Sequence, residues 1–278
     1  MSNWDFAALG YQRSFARLCA GAIPFILDGI ADAPGIRLLE AGCGTGELSA
    51  AAALAGYSVL GVDSSPQMLE LARASHPGIR FAHADLTALG DLAALGDLTA
   101  LDDAGACFDA VASNFVINHT ADPRAAMKEL SRVLTPGGIA AVTIWPYRMS
   151  QLGTVWSEVL ARSGAVKPPI ERLATHLDFE RTCDGMRDLM RGAGFADVRS
   201  DAPASVVIDE IEVNLSLTPD DLWAGAEAGI AVIGAAYTNA DAAMRKRMWR
   251  VFSDIVEPAT SGGLLHFTAT AILAAGRR

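Results

Sequence analysis

Apolar residues recur along this chain in two periods, and the alternation between them sets the predicted architecture. Residues 8–31 carry Phe15, Leu18, Cys19, Ala22, Phe25 and Ile26 near helical spacing, which predicts a helix closed by Pro34-Gly35. A short continuous apolar run at 36–40 then reads as a buried strand. The glycine-rich stretch 42–46 follows, then a helix over 47–55, a strand over 58–62 and a helix over 66–75. Further strands are expected at 79–82 and 108–113, a helix at 123–134 closed by Pro136-Gly137-Gly138, and an apolar strand at 139–145. Strand and helix alternating in this way imply a mostly parallel, doubly wound seven-stranded sheet, an α/β fold of Rossmann-like type.

After Trp145 the pattern loosens. Helices are expected over 151–164, 180–193 and 219–256, the last opening at Thr218-Pro219-Asp220-Asp221. Strands are expected over 198–208 and 264–275. No linker composition separates a second domain, so 1–278 reads as one domain. It has an N-terminal helical cap (1–35), a nucleotide-binding core (36–145) and helical insertions over the ligand edge (151–194 and 211–260). Residues 86–103 hold an internal repeat, LTALGD-LAALGD-LTALDD, with leucine at every third position. That period fits a short 3₁₀ excursion better than a sustained α-helix. The repeat reads as a duplication in a surface loop or as a partner surface.

Composition narrows the partners. A formal net charge of −10 argues against nucleic acid or an anionic membrane, both of which favour basic surfaces. No stretch is long and apolar enough to predict a membrane span. The start, Met1-Ser2-Asn3-Trp4-Asp5, has no basic segment leading into an apolar one, so no signal peptide is expected. Cys19, Cys43, Cys107 and Cys183 form no C-x-x-C pair and no metal-ligand spacing, so no metal is expected. Reduced thiols in a cytoplasmic protein is the reading that follows. Self-association stays open.

The chemistry concentrates between Leu38 and Asp63. Glycines after a buried strand permit a tight turn and close approach of a ligand to the backbone. In an open α/β sheet, that turn lies where ligands bind. A dinucleotide turn would need G-x-G-x-x-G spacing, whereas the glycines here fall at 42, 44 and 46. Glu40, just before them, suits a cationic ligand end better than a phosphate. Asp63, ending the next strand, places a carboxylate where both ribose hydroxyls can be accepted.

The segment E-x-G-x-G-x-G at 40–46, G-V-D at 61–63 and A-D-L at 84–86 resembles the class I S-adenosylmethionine (SAM)-dependent methyltransferases. More narrowly it resembles bacterial small-molecule methyltransferases of the ubiquinone/menaquinone-biosynthesis type. A further block supports this: Phe108 to Val111, Asn118-His119, Asp122-Pro123, Glu129-Leu130 and Pro136-Gly137-Gly138. The resemblance covers 36–145 and fades outside it. It implies SAM as cofactor and S-adenosylhomocysteine as product. It also implies that Glu40, Gly42, Cys43, Gly44 and Gly46 surround the methionine part. Asp63 would then hold the ribose, with Ser64 and Met68 beside the adenosine. Asp85 would accept the adenine amino group, Leu86 would give a backbone contact, and Asn114, Phe115 and His119 would line the pocket. The lengthened loop after Asp85 departs from the family pattern.

Methyl transfer from a sulfonium is an in-line displacement, so alignment and desolvation of the nucleophile carry most of the catalysis. A base is needed only when the acceptor must lose a proton. His119 is the first candidate, with His176 and His266 as alternatives; a loop-ordering role for His119 is the competing reading. Tyr11 either closes over the cofactor or packs in its helix. Trp145, Tyr147, Trp156, His176, Phe179, Trp223 and Tyr237 are candidates for an apolar, aromatic acceptor cavity, and core packing is the alternative for each aromatic. The expected acceptor is a small organic molecule methylated on oxygen, nitrogen or carbon, of the kind met in specialised metabolism. A SAM-bound cyclase or isomerase on the same fold is the alternative.

Overall fold

The computed structural model describes residues 3–33, 35–87, 89, 107–169, 173–195 and 207–278. Three short helices open the chain: α1 (Asn3–Arg13), α2 (Phe15–Ala20) and α3 (Ile23–Gly29). There follow β1 (Arg37–Ala41), α4 (Glu47–Leu54), β2 (Ser58–Asp63), α5 (Pro66–Ser75), β3 (Arg80–His83), β4 (Phe108–Asn114), α6 (Pro123–Val133) and β5 (Leu134–Ile144). The remainder comprises α7 (Gln151–Ser163), α8 (Cys183–Gly192), β6 (Val207–Leu217), α9 (Pro219–Glu227), α10 (Ala231–Thr238), α11 (Ala242–Val256) and β7 (Leu265–Arg277).

The strands form a seven-stranded sheet in the order β3-β2-β1-β4-β5-β7-β6. β1 to β5 pair in parallel, and β7 runs antiparallel to β5. The expected doubly wound, mostly parallel sheet is the one observed. Leu38 and Leu39 are both fully buried although they point to opposite faces, as in a strand covered on both sides. Helix starts follow local chemistry. Ser65 caps α5 through Met68 N–H (3.3 Å), and Asp122 caps α6 through Ala125 N–H (2.9 Å); each is followed by proline. In α6, Ala126, Met127, Leu130 and Val133 form the buried stripe.

The chain divides into two compact units, Ala22–Tyr147 with Leu173–Ile211 and Ala271–Arg278, and Met1–Gly21 with Arg148–Arg172 and Glu212–Thr270. The first, the sheet unit, has a core built from β1, β2, β4, β5 and the buried faces of α6 and α8. In the second unit, α1 packs on α9, and α7 packs on α11.

Several elements differ from the sequence expectation. The helix expected over 8–31 breaks at Ser14, whose hydroxyl turns back to the Gly10 carbonyl (2.5 Å), and again at Gly21. The helix expected over 219–256 is three helices. Gly229, at φ +79°, ends the first segment, and the Asp241 carboxylate caps α11 through Met244 N–H (2.8 Å). The insertion at 211–260 begins as strand, because Ile211, Val213, Leu215 and Leu217 are buried while Glu212, Asn214 and Ser216 are exposed. Of the strand expected over 198–208, residues up to 206 lie outside the described residues, as does most of the repeat at 86–103. Pro136-Gly137-Gly138 does not cap α6. It lies within β5, where the register against β4 shifts between Phe108 and Ala110. No helix among the described residues is long and apolar enough to cross a membrane.

One ion pair ties β1 to β4 at the start of both strands. Asp109 accepts from Arg37 through the backbone N–H (3.0 Å), Nε (3.0 Å) and the second guanidinium arm (2.8 Å). These bonds hold the Asp109 carboxyl below the ordinary range, against the opposing effect of burial. Stability from this pair is therefore present above the unfolded-state pKa and lost as pH falls through the lower folded value. Asp109→Asn should lower stability by about 2 kcal/mol at neutral pH. The gap to the native protein should close below about pH 4, as read by urea unfolding across pH.

Candidate cofactor site

The site is built where β1 ends. Gly42 and Cys43 both donate their N–H groups to the Val62 carbonyl of β2 (2.8 and 2.9 Å), bending the chain sharply after Ala41. Gly42 stands at φ +78°, and a Cβ there would lie 2.5 Å from the Val116 side chain. Gly46 stands at φ +91° as the residue before α4, and a Cβ there would meet His76 and Phe81 at 2.9 Å. Conformation and space both demand glycine at these two positions.

Asp63, ending β2, braces this turn. Its Oδ2 accepts from Gly44 N–H and its Oδ1 from Ser65 N–H, each at 2.9 Å. Burial raises its pKa, and the amide bonds oppose that rise. Each oxygen keeps lone-pair capacity for a further donor. Ser64 is exposed, and its carbonyl accepts from His83 Nε2 (3.1 Å). Met68 is buried on α5.

Glu40 lies within β1, two residues before the first glycine of the turn, and is only 3 % exposed. Its Oε2 accepts from the Ser49 hydroxyl of α4. Burial pushes its pKa up to about 8, partly opposed by that bond and assisted by the charges of Glu47 and Asp63. Cys43 behaves differently from its neighbours in the turn. Its thiol packs with Leu69, Ala72 and Phe81, so only its backbone is available to a ligand. Asp85 is exposed beyond β3. Its Oδ1 accepts from the N–H and hydroxyl of Thr87 (both 2.8 Å), which holds its pKa below the ordinary value. Leu86 is buried in the core of the sheet unit.

At the ends of β4 and β5 the backbone is strained. Phe115 stands at φ +59°, a conformation that costs a bulky residue of order 1 kcal/mol or more. Thr143 supports it: Phe115 N–H donates to the Thr143 carbonyl (3.1 Å) and Oγ1 (3.0 Å), and that hydroxyl donates to Asn114 Oδ1 (2.7 Å). The Phe115 ring stacks on Trp145 at 3.8 Å with planes 6° apart. His119 closes the 3₁₀ turn Ile117–His119 that follows. The residue is solvent-exposed, while desolvation by the surrounding protein, and after it the charge of Arg181, lowers its pKa. Tyr147, 70 % exposed, bonds Arg181 and offers it a ring face.

The structure thus brings Glu40, the three glycines and Asp63 together at the carboxyl ends of β1 and β2. It brings Asn114, Phe115 and Trp145 together at those of β4 and β5. Phe179 is buried in the sheet unit's core, and His176 is exposed in a turn before it. Tyr11, Trp156, Trp223 and Tyr237 belong to the second unit. There Trp223 contacts Trp156, Tyr237, Trp249 and Phe252 with centroids 5.0–6.3 Å apart, which makes these rings packing partners in a helical core. His266, also in this unit, pairs with the Ser216 hydroxyl through Nδ1 (2.8 Å) on the exposed face of β7. Sequence reasoning missed Ser49, nine residues from Glu40, and also Thr143 and Arg181, whose partners Asn114, Phe115, Asn118 and Tyr147 lie far away in the chain. Among the described residues no His/Cys/Asp/Glu group could hold a metal ion.

A parallel sheet with a glycine turn after β1 and a carboxylate ending β2 defines a nucleoside-cofactor protein. Comparison with known proteins makes this specific. A methyltransferase-domain family matches residues 39–142, which span the turn, Asp63, Asp85 and His119. A ubiquinone biosynthesis O-methyltransferase from Cereibacter sphaeroides is 31 % identical over 78 % of this chain and 79 % of its own length. A demethylmenaquinone methyltransferase from Renibacterium salmoninarum is 32 % identical over 57 % of this chain; the match spans 60 % of that relative's length. A solved SAM-dependent methyltransferase from Thermotoga maritima shares the fold, with TM-score 0.50 and 20 % identity over 99 % of this chain and 98 % of its own. The chain belongs to the class I SAM-dependent methyltransferases.

Glu40 gives a test of the site's electrostatics. Its folded pKa lies above the unfolded value of about 4.3, so its burial costs nothing at low pH. Stability falls as pH rises from there towards about 8, because the folded state must retain a proton that the unfolded state has lost. Glu40→Gln should therefore be more stable than the native protein at pH 8, with the gap shrinking to near zero by pH 4.5. Ligand-free urea unfolding at several pH values reads this; a gap independent of pH would refute it.

Proposed function

We propose that the chain transfers the methyl group of SAM to a small, largely apolar organic acceptor. The observation that carries this reading is the Asp63 carboxylate, fixed by Gly44 and Ser65 amides beside a turn that only glycine can make. A carboxylate held in this way is placed to accept both ribose hydroxyls. Glu40 offers a buried carboxyl towards the methionine ammonium, and ionises to its counter-charge when that cation binds. Asp85, with Leu86 behind it, is assigned to adenine. Asn114 and Phe115 form the pocket wall at the end of β4, and Ser64 and Met68 lie on the adenosine side.

When bound, SAM supplies a methyl group already activated on a sulfonium. The chain's own residues then have to align an acceptor atom in line with that methyl and keep water away. Where the acceptor is a hydroxyl or protonated amine, His119 takes its proton. The lowered proton affinity of this imidazole keeps it neutral, and so able to accept, at neutral pH. The acidic charge of −10 disfavours nucleic acid. The names of the relatives from Renibacterium and Cereibacter point to quinones and their precursors, which makes phenols and quinols the first acceptors to try.

The test is incubation of purified protein with SAM and a panel of phenols, quinols and amines, read by product mass. A gain of one CH₂ with release of S-adenosylhomocysteine is expected. An acceptor altered without that gain would place the protein among SAM-bound cyclases or isomerases. Asp63→Ala should weaken S-adenosylhomocysteine binding by roughly 100-fold in calorimetry, since two charge-assisted hydrogen bonds are lost. Unchanged affinity would remove Asp63 from the site.

A further inference from the structure

Arg181 joins several polar and aromatic groups outside the cofactor turn. It is 9 % exposed, in the segment just before α8. One guanidinium nitrogen bonds the Tyr147 hydroxyl and the Asp178 carboxylate (3.1 Å), and the other reaches the Asn118 carbonyl (3.5 Å). The guanidinium also lies over the rings of Tyr147 (4.3 Å) and Phe179 (5.1 Å). Three stretches of chain therefore meet on one cation: the 3₁₀ turn after β4, the segment after β5, and the approach to α8. The Asn118 carbonyl belongs to the residue immediately before His119. The buried Asn118 Oδ1 makes no hydrogen bond, so the turn is held here through its main chain.

We propose that Arg181 is the positioning residue for His119, fixing the turn that presents the imidazole to the acceptor. Lysine could supply the charge but not the planar fork that reaches Tyr147, Asp178 and Asn118 at once. The charged and titratable members of the cluster are Arg181, Asp178, Tyr147 and Arg124. Arg124 donates to the Asp178 carbonyl (3.3 Å) and so secures Arg181's partner. With Asp178 beside it, the pair is close to neutral, yet the cation is the nearer to the imidazole in effect: desolvation first, and Arg181 second, disfavour a protonated His119. This inference rests on the reading of His119 as the group that takes the acceptor's proton.

The test uses ligand-free, full-length protein. Histidine ring resonances are titrated by NMR, with His119→Gln assigning the signal, and amide exchange is followed at His119 and Thr120. Arg181→Met keeps length between the two rings and removes the charge. It should raise the His119 midpoint by at least about 0.5 pH unit, without reaching the ordinary value, because desolvation stays. Arg181→Lys should leave the midpoint low. Both variants should speed exchange of the turn amides by roughly 10-fold or more as the Asn118 bond is lost. S-adenosylhomocysteine binding and thermal midpoint report whether the fold is intact. A His119 midpoint unmoved in folded Arg181→Met overturns the proposal. Should that variant not fold, unchanged exchange in Arg181→Lys overturns it. No acceptor is involved, so a protein that behaves as expected here yet transfers no methyl would fault the functional reading and not this one.

Discussion

Parallel pairing on both sides of β1 is the constraint from which the site follows. β2 lies on one side and β4 on the other, so the chain runs outward to β3 and must then return past β1 to build β4 and β5. Every strand from β1 to β5 points the same way, so their carboxyl ends share one edge. The order reverses between β1 and β4, the point at which open sheets of this type bind their ligands. Gly42, Asp63, Phe115 and Trp145 all belong to that edge because of strand direction. The Arg37–Asp109 pair anchors the same two strands at their opposite ends, so that edge is carried by strands fixed behind it.

What distinguishes this edge electrostatically is carboxylate held in low-polarity surroundings. Glu40 has one hydroxyl partner, and its proton affinity rises far. Asp63 has two amide partners that offset part of its burial. The two acids therefore sit differently: Asp63 is braced by backbone dipoles, and Glu40 has a single hydroxyl partner. The same surroundings make the uncompensated charge expensive when no ligand is present.

The sheet was legible in the sequence because a strand buried on both faces must be apolar throughout, as Leu38-Leu39 and Val111-Ala112 are. The glycine turn was legible because positive φ and close approach leave glycine little competition. Helix interruptions were harder to see. Gly229 and Asp241 sit within an otherwise helical apolar pattern, and only the left-handed φ and the capping bond reveal the breaks. β6 was missed beyond residue 208: the segment 211–260 was read as a helical insertion, although Ile211 to Leu217 alternates with period two and the helix begins only after Thr218. At the site, glycines and acids could be found by spacing. Ser49, Thr143 and Arg181 could not, because each acts on a partner brought near only by folding. For Trp156 and Trp223 the sequence left a pocket and core packing both open, and the two rings lie against each other in the second unit.

Cys43 gives the turn a further property. Its thiol is enclosed by Leu69, Ala72 and Phe81, and burial, reinforced by the nearby acids, raises its pKa well above the ordinary thiol range. Oxidants, alkylating agents and soft metals all act through the thiolate. Burial and the raised pKa therefore both disfavour the thiolate at the centre of this turn. An electrophilic reagent held against the backbone of the turn would meet a thiol rather than a thiolate at this position.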